Sequence, residues 1–147
     1  MIVIAHNIRS MYNVGSIFRN AAAFSIEKLY LTGITASPPR KEIAKVALGA
    51  QNLVDWESGE IGSIIDDLKS QNYLVYGLEQ GEGSMSLKDI HSDQDIALVL
   101  GNEVEGIDKG VVSKLDGLIE IPMGEKRSLN VSVASRIAMF ELQNRVL

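Results

Sequence analysis

Three stretches of the chain combine glycine with polar groups at the end of a predicted strand or the start of a predicted helix, a site-like arrangement. In NIRSMYNVGSIFRNAAAF (residues 7–24), Asn13 and Gly15 permit a close turn into a helix. Arg19 lies four residues after Gly15, about one helical turn deeper, from where its guanidinium could reach back across that opening. In LVLGNEVEGI (98–107), an apolar run stops at Gly101 and leaves Asn102 and Glu103 at its edge, with Gly106 allowing another sharp turn. In IPMGEKRSLNVSVA (121–134), Pro122 cannot donate to a ladder and ends a strand. Gly124 to Arg127 then form an exposed loop, and Ser128 and Asn130 reach a helix start. Free N–H groups in such a loop can bind adenine edges or carboxylate oxygens, with Lys126 and Arg127 supplying positive charge alongside.

Each stretch also has a plain structural reading. Arg19 can be a solvated arginine on a polar helix face, Gly-Asn-Glu an ordinary turn, and Ser128 or Asn130 a simple helix cap. Residue types and spacing alone leave both readings open.

The elements that must position these residues follow from hydropathy. Short β-rich apolar runs at 2–5, 28–33, 72–78, 95–101 and 117–122 predict strands. Helices are predicted from an N-cap at Asn13 through about Phe24, over 40–48, 59–71 and 110–115, and from near Asn130 almost to the end. Continuous apolar strands such as IALVL imply a sheet covered on both faces, so the alternation predicts one α/β domain with a mostly parallel sheet flanked by helices. The polar, glycine-rich segment 79–95 follows a strand's C-terminal end, where open α/β sheets place ligands. In the last helix Val133, Ile137 and Phe140, widened by Ala134 and Ala138, predict a buried stripe, either core or oligomer interface.

Composition narrows the chemistry. The 147 residues include no cysteine, which excludes disulfides, cysteine-ligated metals and a thiol nucleophile. His6 and His91 do not share a metal-ligand spacing, so no metal is expected. The dinucleotide fingerprint, the P-loop and the G-x-S-x-G elbow are absent. The N-terminus lacks a basic lead, and no run of about 18 apolar residues occurs, so a cytoplasmic protein without membrane attachment is expected. The net charge is −5 but uneven: six Lys/Arg face two Asp/Glu in residues 1–50, four face fifteen in 51–120, and four face two in 121–147. If the basic ends meet, they form a positive surface suited to phosphates.

Taken together and in order, the three stretches resemble the signature motifs of the SpoU (TrmH-like) RNA 2′-O-ribose methyltransferases, a branch of the SPOUT superfamily. The N-x-G-x-x-x-R core matches Asn13, Gly15 and Arg19, the G-N-E-x-x-G motif matches Leu100 to Ile107, and the I-P-M…S-L-N-V-S-V-A motif matches Ile121 to Ala134. KVALGAQNLVDWE (45–57) also resembles the family's intervening segment. The resemblance implies a deep trefoil knot over about 75–147 that binds S-adenosylmethionine, against the ordinary expectation of unknotted chains. It implies a cofactor site at Leu78, Gly101, Ile121, Met123, Ser128 and Leu129, supported by Asn102, Glu103 and Gly106. Arg19 would act in catalysis, with Asn13, Ser128 and Asn130 positioning the ribose. Partners would be RNA and a second copy of the chain, with Arg9, Arg40, Lys41, Lys126 and Arg127 along the RNA path. Many relatives carry an added N-terminal RNA-binding domain, whereas this chain begins at the first catalytic-domain strand. Minimal versions are associated with tRNA, with ribosomal RNA the other candidate substrate. The competing function is a non-catalytic RNA-binding or regulatory module on the same fold. One polar contact differs from many relatives, which have Arg-Thr where this chain has Arg19-Asn20.

Overall fold

A computed structural model describes residues 1–126 and 128–144. Seven strands form one sheet: β1 (Ile2–His6), β2 (Lys28–Thr32), β3 (Trp56–Gly59), β4 (Leu74–Leu78), β5 (Met85–Ser86), β6 (Ile96–Leu100) and β7 (Gly117–Glu120). They are ordered β3-β2-β1-β6-β4-β7-β5, and every strand pair is parallel. The expected α/β class with a mostly parallel sheet is therefore found. Helices α1 (Met11–Ala23), α2 (Lys41–Ala47), α3 (Ile61–Ser70), α4 (Lys109–Val112) and α5 (Val131–Gln143) cover it.

The central strands read as unbroken apolar runs because both faces are buried. In β1, Val3 and Ala5 join a cluster with Ile17, Phe18, Ile43 and Met139, whereas Ile2 and Ile4 join Ile61, Ile65, Leu68 and Val111 on the other side. In β6, Leu98 and Leu100 face the first cluster, Ala97 and Val99 the second. No helix among the described residues is long and apolar enough to cross a membrane.

Several expectations are corrected. The cap of α1 is Ser10, not Asn13: its side chain accepts from Asn13 N, and the helix starts two residues before the expected cap. Gly15 therefore lies inside α1 rather than in a turn. A Cβ there would sit 2.6 Å from Ile43 O and 2.9 Å from Val46 Cβ, so glycine permits the close approach of α2. Strand β3 was not expected because DWESGE is polar; it is an exposed edge strand paired to β2. The 79–95 segment contains the short β5 and a 3-10 turn at Leu87–Asp89.

The stripe on α5 is turned outward. Val133, Ile137 and Phe140 are 36%, 39% and 54% exposed, whereas Ser132, Ser135, Ala138, Met139 and Leu142 face inward. The inward serines are tolerated because their polar groups are paired within a seam to α1. Asn20 Nδ2 donates to Ser132 O at 2.8 Å and Ser135 Oγ at 3.1 Å, and Ser135 Oγ donates to Ser132 O at 2.8 Å. Asn20 is thus a buried link between α1 and α5, and it also accepts from Arg136 Nε at 3.0 Å.

Candidate functional site

Because β1, β6, β4 and β7 are parallel, their C-terminal ends open on one side of the sheet. A cleft of about 560 Å³ lies there, within the range of small-ligand sites. All six residues expected to hold a cofactor line it: Leu78, Gly101, Ile121, Met123, Ser128 and Leu129. So do Asn13, Asn130, Asn102, Glu103 and Gly106.

A chain of hydrogen bonds joins the three sequence stretches at the rim of this cleft. Asn130 caps α5, its Oδ1 accepting from Ser132 N at 2.9 Å, while its Nδ2 donates to Asn13 Oδ1 at 3.2 Å. Asn13 Nδ2 donates to Glu103 Oε2 at 3.0 Å. The Glu103 carboxylate also accepts from Arg9 N and Ser10 N, each at 2.8 Å, at the N-terminus of α1, where exposed N–H groups and the helix dipole favour an anion. Burial pushes the Glu103 carboxyl up, but the hydrogen bonds from Arg9, Ser10 and Asn13 together outweigh it and hold it below the usual carboxylate range.

The two glycines of the second stretch serve the chain's own close packing. A Cβ at Gly101 would lie 2.7 Å from Gly106 C and 2.8 Å from Ile107 N, so a side chain there meets the following turn before it meets any ligand. Gly106 has φ +71°, a left-handed conformation that glycine adopts freely, and Glu79 closes against it. Asn102 Oδ1 accepts from Val104 N and Glu105 N at 2.9 and 3.0 Å, which closes the 102–106 turn forming one wall.

Part of the lining was not named residue by residue from the sequence, although Glu79 and Gln80 open the 79–95 segment expected at a ligand-binding strand end. Glu79, Gln80, Glu105 and Glu120 also face the cleft, and Ile107 N donates to Glu79 Oε1 at 3.2 Å. Glu79 directly follows β4 and Glu120 ends β7, so their positions at C-terminal strand edges were the available signal. With Glu103 they give the cleft four carboxylates, which favour a cationic ligand over apolar walls supplied by Leu78, Ile121, Met123 and Leu129. No group of three or more potential metal ligands occurs among the described residues.

The structure does not bring Arg19 to this wall. It is exposed on α1, six residues beyond Asn13, about 9 Å further along the helix. Arg9 and Lys126 are exposed, Arg9 directly beside the Glu103 contact. Arg40 and Lys41 border a separate cleft of about 300 Å³ with Pro38, Gln51 and Asn52, and Arg40 Nε lies 3.8 Å from Glu42 Oε2. Arg127 lies outside the described residues.

Residues 1–140 match the family described as SpoU rRNA Methylase. The chain is 31% identical over 146 residues to a putative TrmH family tRNA/rRNA methyltransferase of Staphylococcus haemolyticus, covering 98% of this chain and 58% of that protein. It is 30% identical over 143 residues to the 23S rRNA (guanosine-2′-O-)-methyltransferase RlmB of Xanthomonas axonopodis pv. citri, covering 96% and 57%. The chain thus spans just over half the length of these relatives. Its fold is similar to that of an AdoMet-bound rRNA methyltransferase from Sinorhizobium meliloti, with a TM-score of 0.92, 24% identity and coverage of 99% and 56%.

Proposed function

The chain belongs to the SpoU rRNA methylase family, and from that premise we propose that its cleft binds S-adenosylmethionine and that the protein methylates a ribose 2′-hydroxyl in structured RNA, tRNA before ribosomal RNA. The observation that carries this reading is the convergence of three separated sequence stretches on one cleft, linked through Asn130, Asn13 and Glu103. The residues fit the cofactor. Leu78, Ile121, Met123 and Leu129 suit the adenine, and Glu79, Glu105 and Glu120 suit the sulfonium and ammonium charges.

The bound cofactor supplies a methyl group on a positively charged sulfur. The chain's residues would hold a ribose hydroxyl in line with that methyl and stabilise the oxygen as its proton passes to solvent water. Asn13, Ser128 and Asn130 position the ribose at the cleft mouth. Arg19 is effectively always protonated, so its role is to clamp the adjoining phosphate and stabilise developing negative charge, not to act as a base. Arg9, Arg40, Lys41, Lys126 and Arg127 would line the RNA path.

A homodimer belongs to the same proposal. The outward stripe Val133, Ile137 and Phe140 presents an apolar surface that a second copy would bury, and α1, which carries Arg19, packs beside it through the Phe24–Phe140 ring pair. So does the knot over about 75–147, a reading supported by β4 lying between β6 and β7 in the sheet.

Arg19→Ala tests the mechanism. The variant is expected to bind S-adenosylmethionine like the wild type by calorimetry while methyl transfer to RNA falls by about 10²-fold or more. Wild-type transfer by this variant would remove Arg19 from the reaction.

A further inference from the structure

Neither His6 nor Asn7 lines the cleft, yet together they hold one of its walls. The His6 side chain is nearly buried, and both ring nitrogens are engaged: Nδ1 lies 2.8 Å from Thr32 Oγ1 and Nε2 lies 3.2 Å from Asn7 Nδ2. The Asn7 amide is oriented independently, because its Oδ1 accepts from Ile34 N at 3.0 Å. It is therefore an N–H that faces the ring. An amide N–H only donates, so Nε2 must accept, and the single proton of the neutral ring sits on Nδ1 and is donated to Thr32 Oγ1.

Asn7 itself adopts φ +56°, a left-handed conformation that asparagine tolerates better than most residues. Its carbonyl oxygen accepts from Asn102 Nδ2 at 2.8 Å. Asn102 closes the 102–106 turn through Val104 N and Glu105 N and exchanges backbone hydrogen bonds with Gly106 at 3.1 and 3.0 Å. One residue thus ties the end of β1 to the loop after β2 and to the cleft wall after β6.

We infer that Asn7 is a positioning residue for the cofactor cleft and that neutral His6 holds it in place, so that the pair forms a proton-sensitive latch on the 102–106 wall. The inference rests on the reading of the cleft as an S-adenosylmethionine site. A proton on Nε2 turns the acceptor into a donor facing another donor; the pair separates, and Asn7 loosens its hold on Ile34 and Asn102. The charged groups facing His6 are Asp108, which precedes α4, and Glu60, which caps α3. Both favour the protonated ring, whereas burial opposes it and prevails, lowering the His6 pKa.

The chain has only two histidines, and His91 is exposed, so the rings can be followed separately by NMR. Ring and amide titrations from roughly pH 7.5 to 5, with calorimetry using S-adenosylmethionine, would be run on wild type, His6→Gln and Asn7→Asp. In the wild type, His6 is expected to titrate below the ordinary histidine value, with the amides of Ile34, Val104 and Glu105 moving at the same midpoint. Cofactor affinity should weaken about three- to tenfold across it. His6→Gln should remove that step. Asn7→Asp offers a carboxylate that accepts from both Ile34 N–H and a protonated Nε2, so His6 should titrate above its wild-type midpoint and the low-pH weakening should vanish. A merely structural Asn7 would give a variant weaker at every pH with no such reversal. The latch is overturned if His6 titrates without moving those amides, or if Asn7→Asp leaves the pH profile unchanged. If the wild type binds no S-adenosylmethionine at any pH, the cofactor reading fails, and the ring and amide titrations alone decide the latch.

Discussion

At Glu103, one carboxylate receives two backbone N–H groups and the Asn13 amide, and so binds the strand end that walls the cleft to the helix that opens beside it. Replacing it with alanine leaves the Arg9 and Ser10 N–H groups and the Asn13 amide without their acceptor. Glu103 is exposed, so water can take up part of the lost bonding, and Glu103→Ala is expected to lower stability by about 0.5–1.5 kcal/mol, measured by chemical denaturation, and to weaken cofactor binding as the wall loosens. The sign of the pH effect follows from the depressed carboxyl. The folded state holds Glu103 ionised to lower pH than the unfolded chain does, so its stabilisation is complete above the ordinary carboxylate range, about pH 4.3, and lost as pH falls through the depressed value. The variant should therefore show a shallower loss of stability on the acid side than the wild type.

Among the elements, the packing of α1 against α2 is set by Gly15, where added atoms meet Ile43 O and Val46 Cβ. The backbone oxygen cannot yield as a flexible side chain can, so Gly15→Val should destabilise by about 1–3 kcal/mol or more, read from the denaturation midpoint, while Gly83→Ala in the 79–95 loop tests only local backbone strain. The central strands were legible in the sequence because apolar runs such as Ile96–Leu100 admit few alternatives once both sheet faces are covered. Edge strands β3 and β5 were not, since one is polar and exposed and the other is two residues long. Of the two readings of the α5 stripe, core and oligomer interface, the core one fails for a specific reason. The apolar stripe and the serine face of the helix both repeat with helical spacing, and only the partner Asn20, more than a hundred residues away, makes the serine face suitable for burial. The cleft lining was legible residue by residue where motifs supplied it, only as a segment at Glu79, which opens the 79–95 loop, and not at Glu120, which ends β7.

For the molecule as a whole, the proposed homodimer would bury the apolar face of α5. A charge within the stripe should oppose pairing: Ile137→Asp is expected to shift the protein from dimer to monomer in sedimentation velocity, with the monomer still folded because residue 137 is outside the core. Retention of the dimer would place the interface elsewhere. Methyl transfer from S-adenosylmethionine to ribose oxygen can be followed by incubating the protein with methyl-tritiated S-adenosylmethionine and bulk tRNA, digesting the RNA to nucleosides and locating the label. Label is expected in a 2′-O-methylated nucleoside and should be absent with Arg19→Ala. Label on a base, or cofactor binding without transfer to either tRNA or ribosomal RNA, would contradict ribose methylation and leave an RNA-binding module of the same fold.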